Sequence, residues 1–559
     1  MPVEPSAAAP GSTTARPGPV SPLSVDVRQA PWLRPLAGEY AFNFTNIAGL
    51  YAGDPASPDA WRSAIARVQQ HTRLRDDVAR IVAAQQEQRA APPPALAAAR
   101  TLADSRTVAV VTGQQAGVFG GPLFTLLKAI TAIQLARRVS EEHGTPTVAV
   151  FWVDAEDHDW EEVASCTVLD ASFQPATTTA SSPDGAGELP VAALQLDARV
   201  EDSLAQLASA LPPTDFTEWV LNGLRAAYRP GVRVADAFAR WLEALLGPYG
   251  LIVFESADPA SKALVAGVFT RELAQPGHTA ALAAAAGDAL AARGHAPQVT
   301  PQRDSASLFH LDGGRRPIKY DGDRFVIGER RFAGAELTAA AAATPERFSP
   351  NVLLRPIVQD TLFPTIAYVA GPSELAYLGQ LGGIYQHFGV PMPLVYPRAM
   401  ATLVDSPAAR FLSKYDVPIQ DLQAQDESAL NRLLEAQLPP AVEQSMKDAE
   451  EAIHRSMERV IAAMPTVDPT LAGAAQTALG KMQHDLRTLH SKMIHAAKKR
   501  DDTLRRQFMR TRAQAFPHGQ PQERVLAGVF FLNRYGPALI ERLLAELPLR
   551  LGHHWVLTI

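Results

Sequence analysis

Val110-Val111-Thr112-Gly113-Gln114-Gln115-Ala116-Gly117-Val118-Phe119-Gly120-Gly121-Pro122 decides the fold, together with Glu156-Asp157-His158-Asp159 one helix and one strand further on. Each cluster follows a short apolar run, TVAVV (107–111) before the glycines and TVAVFWV (147–153) before the acids. Short valine-rich runs bounded by turn residues read as buried strands. Between them Pro122 opens PLFTLLKAITAIQLARRV, where Leu123, Leu126, Leu127, Ile130, Ile133 and Leu135 fall largely on one side of a helix. Proline costs little in a first helical turn, because that N–H has no partner there. Strand, glycine loop, helix and strand make a βαβ unit, whose right-handed crossover puts loops 112–121 and 154–159 on one edge of a parallel sheet. In an open α/β sheet that edge is where backbone N–H groups and helix N-termini converge on a ligand.

Working outward, residues 171–190 are rich in Ser, Thr, Ala, Pro and Gly and read as a surface loop, and 191–248 reads as mostly helical. Leu251-Ile252-Val253-Phe254 is a third strand, ending at Glu255-Ser256-Ala257-Asp258-Pro259. Alternation in SLFHL, PIKYD and RFVIG marks 297–335 as a small antiparallel excursion. Apolar α/β character returns at Pro350-Asn351-Val352-Leu353-Leu354-Arg355-Pro356; a strand over 365–370 then meets Gly371-Pro372-Ser373-Glu374, and MPLVYPR closes the region at Arg398.

From about 405 to 515 the chain becomes charged, methionine-bearing helix. Val442, Met446, Ala449, Ile453, Met457, Val460 and Met464 form one heptad-like seam; Leu479, Met482, Leu486, Leu489, Met493 and Ala496 form another. Pro465 and the VDPT turn separate them, which predicts an antiparallel helical hairpin, either self-contained or lending a seam to a second subunit. The tail adds a helix pair and a strand at 554–559 that could pair onto a sheet edge. The expected organisation is a disordered leader (1–28), a first core part (29–170), a core strand with insertions (171–345), a second core part (346–404), a coiled-coil arm (405–515) and a return to the core (516–559).

Composition narrows the function. The 559 residues are 47% hydrophobic and 20% charged with net charge −6, the balance of neither a nucleic-acid binder nor a disordered chain. One cysteine, Cys166, excludes an intramolecular disulfide and suits a reducing compartment, by default the cytoplasm. No apolar stretch approaches the ~20 residues that span a bilayer, and the N-terminus lacks the apolar region of a signal peptide.

Chemistry concentrates in the two loops. Gly113, Gly117, Gly120 and Gly121 let backbone approach a ligand, or they make a tight structural turn; Gln114 and Gln115 can read hydroxyls or amides. Neither GxxxxGK[ST] nor GxGxxG is present, and Lys128 lies well inside the helix. Glu156, Asp157, His158 and Asp159 could furnish a base with a raised pKa, share a cation or hold a substrate ammonium; the plain alternative is a solvated acidic helix start. No HExxH or comparable spacing accompanies them, so no metal ligand set is assigned. Arg355 and Gln359-Asp360 are expected to flank a buried strand, Glu374 and Tyr377 lie one turn apart after Gly371, and Arg398 ends a strand. Cys166, in VASCTVLD, reads as a buried and inert residue.

Four blocks, VVTGQQAGVFGGPLFTLLKAI, FWVDAEDHDWEEV, RPIVQDTLFPTIAYVAGPSELAYLGQL and FGVPMPLVYPR, together with NRYGP (533–537), resemble the bacillithiol biosynthesis cysteine-adding enzyme family, the cysteine ligases. The resemblance runs from about residue 30 to the end. It implies a Rossmann-like core with connecting-peptide insertions and an α-helical coiled coil associated with homodimerisation. It also implies that L-cysteine is joined to glucosaminyl-malate, as an amide on the glucosamine nitrogen, in the last step of bacillithiol synthesis. The activating cofactor stays open. ATP with magnesium would serve, yet the HIGH and KMSKS sequences of the class I synthetases, whose nucleotide fold the core is similar to, are absent. On this reading Thr112, Gln114, Gln115 and the 113–121 backbone hold the malyl-glucosamine or a phosphate. Arg355, Gln359, Asp360, Gly371, Glu374 and Tyr377 line the substrate site. The acids 156–159 orient the amine or a cation, and Arg398 meets a carboxylate. The competing functions are a metal-dependent hydrolase or amidase using 156–159 and a non-catalytic coiled-coil scaffold.

Overall fold

The computed structural model describes residues 23–436, 440–500 and 502–559. The described chain opens on β1 (Leu23–Asp26) and passes through helices to β2 (Val108–Gln115), α1 (Leu123–His143), β3 (Thr147–Asp154) and the single-turn α2 (Trp160–Val163). A hairpin of β4 (Ser165–Leu169) and β5 (Pro175–Thr179) precedes a helical stretch that ends in α3 (Val234–Leu246) and β6 (Leu251–Glu255). Then come β7 (Ser305–Leu311), β8 (Arg315–Asp321), β9 (Arg324–Ile327), β10 (Arg330–Ala333) and β11 (Phe348–Pro350). The core resumes with α4 (Arg355–Leu362), β12 (Thr365–Ala370), α5 (Leu375–Leu378), β13 (Leu394–Pro397) and β14 (Met400–Val404). The arm holds α6 (Pro440–Ala463) and α7 (Ala472–Arg500); α8 (Asp502–Ala515), α9 (Gln522–Val525) and β15 (His553–Thr558) lead back.

The central sheet is parallel throughout, in the order β13-β12-β2-β3-β6. Burial on both faces explains its unbroken apolar runs. Val108 and Val110 of β2 join α1's Leu127 and Ile130 in one core, while Ala109 and Val111 join Phe254 and Tyr368 in the other. Each such buried aliphatic side chain contributes about 1.5–3 kcal/mol relative to exposure. Pro122 sits at the N-cap of α1, and Gly144, in the left-handed region, ends it. β7 to β11 form the antiparallel excursion.

Several sequence expectations are corrected. Leu23–Asp26, counted in the leader, is a strand paired antiparallel with β15; residues 1–22 lie outside the described residues. The loop expected at 171–190 contains β5, whose threonines face β4 with a Thr167–Thr177 hydroxyl contact of 2.8 Å. β2 continues through Gln115, so the start of the glycine segment is strand rather than loop. Arg355, Gln359 and Asp360 lie on a helix, α4, with Pro356 in its first turn.

β15 pairs parallel with β14 as well, and this three-stranded sheet ties the C-terminus to the base of the arm. There Phe411, Leu412, Leu430, Phe508 and Phe516 form a third core. Along the arm α6 packs on α7, and the first seam stands as expected, with Val442, Met446, Ala449, Ile453, Met457 and Met464 partly covered and Val460 44% exposed; in the second Leu479, Leu486 and Met493 are partly covered, while Met482 and Leu489 are 44% and 51% exposed and Gln483 and His490 face inward beside them. An α-helix drifts against a 3.5-residue repeat, which changes which apolar residue faces the partner. Among the described residues no helix is long and apolar enough to cross a membrane.

Candidate functional site

The chain reverses direction at the carboxyl edge of the parallel sheet. From β2 it moves to β3 and β6, then returns to the other side of β2 for β12 and β13. The segments after β2 and β12 therefore diverge, which opens a crevice between the two strand ends. A cavity of about 330 Å³ occupies it. β2 supplies Gly113, Gln114 and Gln115; β3 supplies Trp152 and Asp154; α4 and β12 supply Arg355 and Tyr368. Gly113 is paired with Trp152 across the sheet, and a Cβ there would lie 2.9 Å from the Trp152 carbonyl oxygen. Only glycine fits under that indole.

The floor is an ion pair with its polar atoms satisfied. Lys128 of α1 is buried, and its Nζ donates to the Gly113 carbonyl (2.9 Å) and to Gln114 Oε1 (3.2 Å) and pairs with Glu374. Glu374 also accepts from the Tyr368 and Tyr377 hydroxyls, both at 3.2 Å, and from the Gly371 N–H. Burial alone would raise the Glu374 carboxyl, but the Lys128 ammonium and the Gly371 N–H hold it below its ordinary value. Burial raises both phenols, and Glu374 adds to it, so they remain protonated donors.

Above this floor stand Arg355 and Asp154. Arg355 Nη1 donates to Gln359 Oε1 at 3.0 Å, its Nε lies 3.8 Å from Asp154 Oδ2, and the guanidinium sits 5.6 Å from the Tyr368 ring centre. Burial opposes its charge, but the neighbouring Asp154 and Glu374 carboxylates favour it, and it is held above the ordinary value. Asp154 ends β3 with 32% of its side chain exposed, on the cavity wall. Burial raises its carboxyl, Arg355 and Arg315 oppose, and Glu156 and Asp157 push it up, so that it is held above its ordinary value.

The acids expected to be catalytic are placed otherwise. Glu156 is buried and paired with Lys262, whose Nζ also donates to the Phe348 carbonyl at 3.1 Å. Asp157 pairs with Arg315 at 2.9 Å and receives His158 Nδ1 at 3.2 Å. Asp159 caps α2 by accepting from the Glu162 N–H at 3.2 Å. The backbone between is fastened to the following segment, Val191 N–H to Asp157 O (2.7 Å) and Ala192 N–H to Ala155 O (2.8 Å). None of the four lines the cavity; Asp154 and Glu162, on either side of them, do. Gln115 Nε2 donates to Glu162 at 2.8 Å, closing the two loops over the crevice.

The glycine segment divides in the same way. Beyond Gln115 it turns into the core: a Cβ on Gly120 (φ +93°) would lie 2.7 Å from Trp241 Nε1, and the Gly120 N–H donates to the Tyr228 hydroxyl at 3.1 Å. Gly117 packs on Gly121, where an added Cβ would lie 2.9 Å from the Gly121 Cα. The start of α1 is taken by the C-terminal segment, since Leu123 N–H donates to Leu526 O at 2.8 Å and Gly528 N–H to Gly121 O at 3.1 Å. Gly117, Gly120 and Gly121 therefore do not line the cavity, and the α1 terminus does not fit the phosphates of a nucleotide. Thr112 is buried and donates to Val369 O at 2.9 Å, joining β2 to β12. Gln359 and Asp360 lie beneath the site: Gln359 holds Arg355 and donates to Asp360 at 2.8 Å, and Asp360 accepts from Tyr385.

Arg398 does line the cavity, but its two Nη atoms are held by buried Glu523 at 2.8 and 2.6 Å. Phe124, Lys128, Trp152, Asp154, Glu162, Tyr368 and Arg524 also line it and were not singled out as site residues in the sequence. Two of these carried a signal. Asp154 follows the last apolar residue of TVAVFWV, and Lys128 interrupts an apolar helix face. Nothing local marks Arg524. A larger, more open depression of about 590 Å³, lined by Tyr51, Arg67, His71 and Tyr385, contains no carboxylate, and burial and Arg73 lower the proton affinity of its His71 imidazole. Cys166 is buried, with its thiol pushed up to about 12 by burial.

Two family models match the chain end to end over the described core and arm. "Bacillithiol biosynthesis BshC, N-terminal Rossmann-like domain" covers residues 23–399, and "Bacillithiol biosynthesis BshC, C-terminal coiled-coil domain" covers 401–559. A "Putative cysteine ligase BshC" of Salinibacter ruber is 34% identical over 515 residues, 90% of this chain and 92% of the relative. Proteins of the same name from Koribacter versatilis and Symbiobacterium thermophilum are each 34% identical, over 78% and 81% of this chain and 81% and 84% of their own length.

Proposed function

The chain belongs to the bacillithiol biosynthesis BshC family, and from that premise we propose that it joins L-cysteine to glucosaminyl-malate through an amide on the glucosamine nitrogen, the last step of bacillithiol synthesis. The observation that carries the reading is Asp154, a carboxylate on the cavity wall whose proton affinity is raised, beside the buried charge of Arg355. An amine reaches the enzyme mostly as its ammonium ion and is no nucleophile in that form. Asp154 takes one proton from the ammonium, and the lone pair so freed attacks the carboxyl carbon of cysteine, which must arrive bonded through oxygen to an activating group; as the tetrahedral adduct collapses that C–O bond breaks, the activating group leaves with the electron pair, and the second proton of the nitrogen goes with it. Arg355 supports the negative charge that develops on the carboxyl oxygen. Gln114 and Gln115 supply donors and acceptors for sugar hydroxyls. A carboxylate does not acylate an amine in water without activation; since the α1 terminus does not fit a nucleotide's phosphates, no step is routed through one.

The hydrolase reading loses its basis, because Glu156, Asp157 and Asp159 are engaged with Lys262, Arg315 and the α2 backbone. The scaffold reading does not account for a cavity so densely lined with ionised groups. We further propose a homodimer in the cytoplasm, supported by the outward apolar residues Val460, Met482 and Leu489 on the arm; light scattering at micromolar concentration should give twice the chain mass. The deciding experiment is incubation with cysteine and glucosaminyl-malate, with and without ATP and magnesium, followed by mass analysis. The ligated thiol is the expected product, and its absence under every condition would overturn the assignment.

A further inference from the structure

We infer that Arg524 and Arg398 form a carboxylate-binding subsite in the wall that the C-terminal segment gives to the cavity, and that it holds a carboxylate of the amine-bearing substrate. The inference rests on the ligase reading above and names which part of which substrate this wall holds.

Charge matching in the cavity leads to it. Lys128 is paired with Glu374, Arg355 stands beside Asp154, and Arg398 is clamped by Glu523. Glu162, the remaining carboxylate of the lining, is held by Gln115 rather than by a cation, and Arg524 lines the same cavity, is exposed, and has no carboxylate or hydrogen-bond partner for its side chain among the described residues. Arg398 adds a second unmet donor. It is 4% exposed, both Nη atoms are used on Glu523, and its buried Nε has no acceptor.

The wall is rigid behind them. Gln522 Oε1 accepts from Leu403 N–H at 2.7 Å, and its Nε2 donates to the Leu403 and Gln514 carbonyls at 2.8 and 2.9 Å. Glu523 accepts from Ala401 N–H at 3.2 Å besides holding Arg398. Two successive residues are thus fastened to β14, and the third, Arg524, is presented to the cavity. A guanidinium matches a carboxylate through paired donors.

The ligand's identity follows from charge and from the reaction. A single exposed guanidinium, on a wall that also carries the Glu162 carboxylate, suits one carboxylate better than the several charges of a triphosphate. The carboxyl of cysteine is consumed in the amide, so it cannot serve as a lasting anchor. The carboxylates of the malyl group persist from substrate to product.

Calorimetric binding to Arg524→Gln and the unaltered protein tests this. Glucosaminyl-malate should bind about tenfold to a hundredfold more weakly to the variant, malate alone should weaken likewise, and a methyl glucosaminide without carboxylates should bind both proteins equally. In turnover the KM for glucosaminyl-malate should rise while that for cysteine and kcat stay within about threefold, with Arg524→Lys recovering part of the loss. Unchanged binding of glucosaminyl-malate, an equal loss for the glucosaminide, or weakened binding of ATP in its place would each overturn the subsite. If the unaltered protein binds no glucosaminyl-malate, the ligase reading fails; the subsite then stands or falls on whether malate prefers unaltered protein to Arg524→Gln. Equal melting temperatures establish that the variant folds.

Discussion

The strand ends and the loops that follow them share a composition and have opposite roles. Gly113, Gln114, Gln115 and Asp154, still within β2 and β3, face the cavity; Gly117, Gly120 and Gly121 and the acids 156–159, a few residues on, are built into the protein. A parallel sheet fixes its last residues at the crevice. A loop beyond them goes wherever the next segment fastens it, here to Tyr228 and Trp241 on one side and to Lys262, Arg315 and residues 191–192 on the other. Chemical loading of a loop therefore says less about a site than its position relative to the strand end.

The comparison breaks or sharpens under substitution. Asp154→Asn should lower turnover about a thousandfold, close to 4 kcal/mol in the barrier, with little loss of stability. Its pH dependence gives the sign: protonation of Asp154 removes the base, so the rate falls as pH falls. Because burial and the neighbouring acids raise that carboxyl, the fall should come at a pH above its ordinary value, and the variant should lack this limb. An unaltered rate profile in the variant would remove Asp154 from the chemistry.

Glu156→Gln, two residues on, should do the reverse. It leaves the buried Lys262 ammonium without its counter-charge, which should cost about 3 kcal/mol in denaturant unfolding, while turnover per folded molecule stays within about threefold. Loss of turnover at full stability would return the acid loop to catalysis.

Gly120→Ala should cost about 2 kcal/mol, because alanine resists φ +93° and its Cβ meets the Trp241 indole. Substrate affinity should not change, which calorimetry on the folded variant would check. The smallest effect is expected for Cys166→Ser: a hydroxyl placed in an apolar strand costs about 1 kcal/mol of stability, and activity is largely retained. A thousandfold loss with an acyl group trapped on Cys166 would make the thiol a nucleophile.

Much of the architecture was legible because it depends on local pattern. TVAVV, the helix opened by Pro122 and TVAVFWV specify β2, α1 and β3 by period and punctuation, and the two strands are neighbours and parallel, as the crossover rule requires. The alternation over 297–335 likewise gave an antiparallel sheet. The β5 threonines were hidden in a turn-rich composition, and α4 was hidden by the prolines around an apolar run. In the site, Gly113, Gln114, Gln115, Arg355, Gly371, Glu374, Tyr377 and Arg398 were named from sequence and do meet at the cavity. Asp154 and Lys128 were not, because the groups that give them a role, Arg355 and Glu374, are distant in sequence, and Arg524 was not, because nothing local marks it and only the fold brings it to the cavity wall.

By itself, then, the sequence determined the parallel core, the helical arm and the edge on which chemistry would gather, because short-range hydrophobic period and glycine–proline punctuation act within a few residues. Only the tertiary structure decided which charged groups are spent on folding and which are left for a ligand. Glu156 is matched by a lysine 106 residues away and Arg398 by a glutamate 125 residues away. Whether a charge is free depends on such partners, and the folded chain alone brings them together.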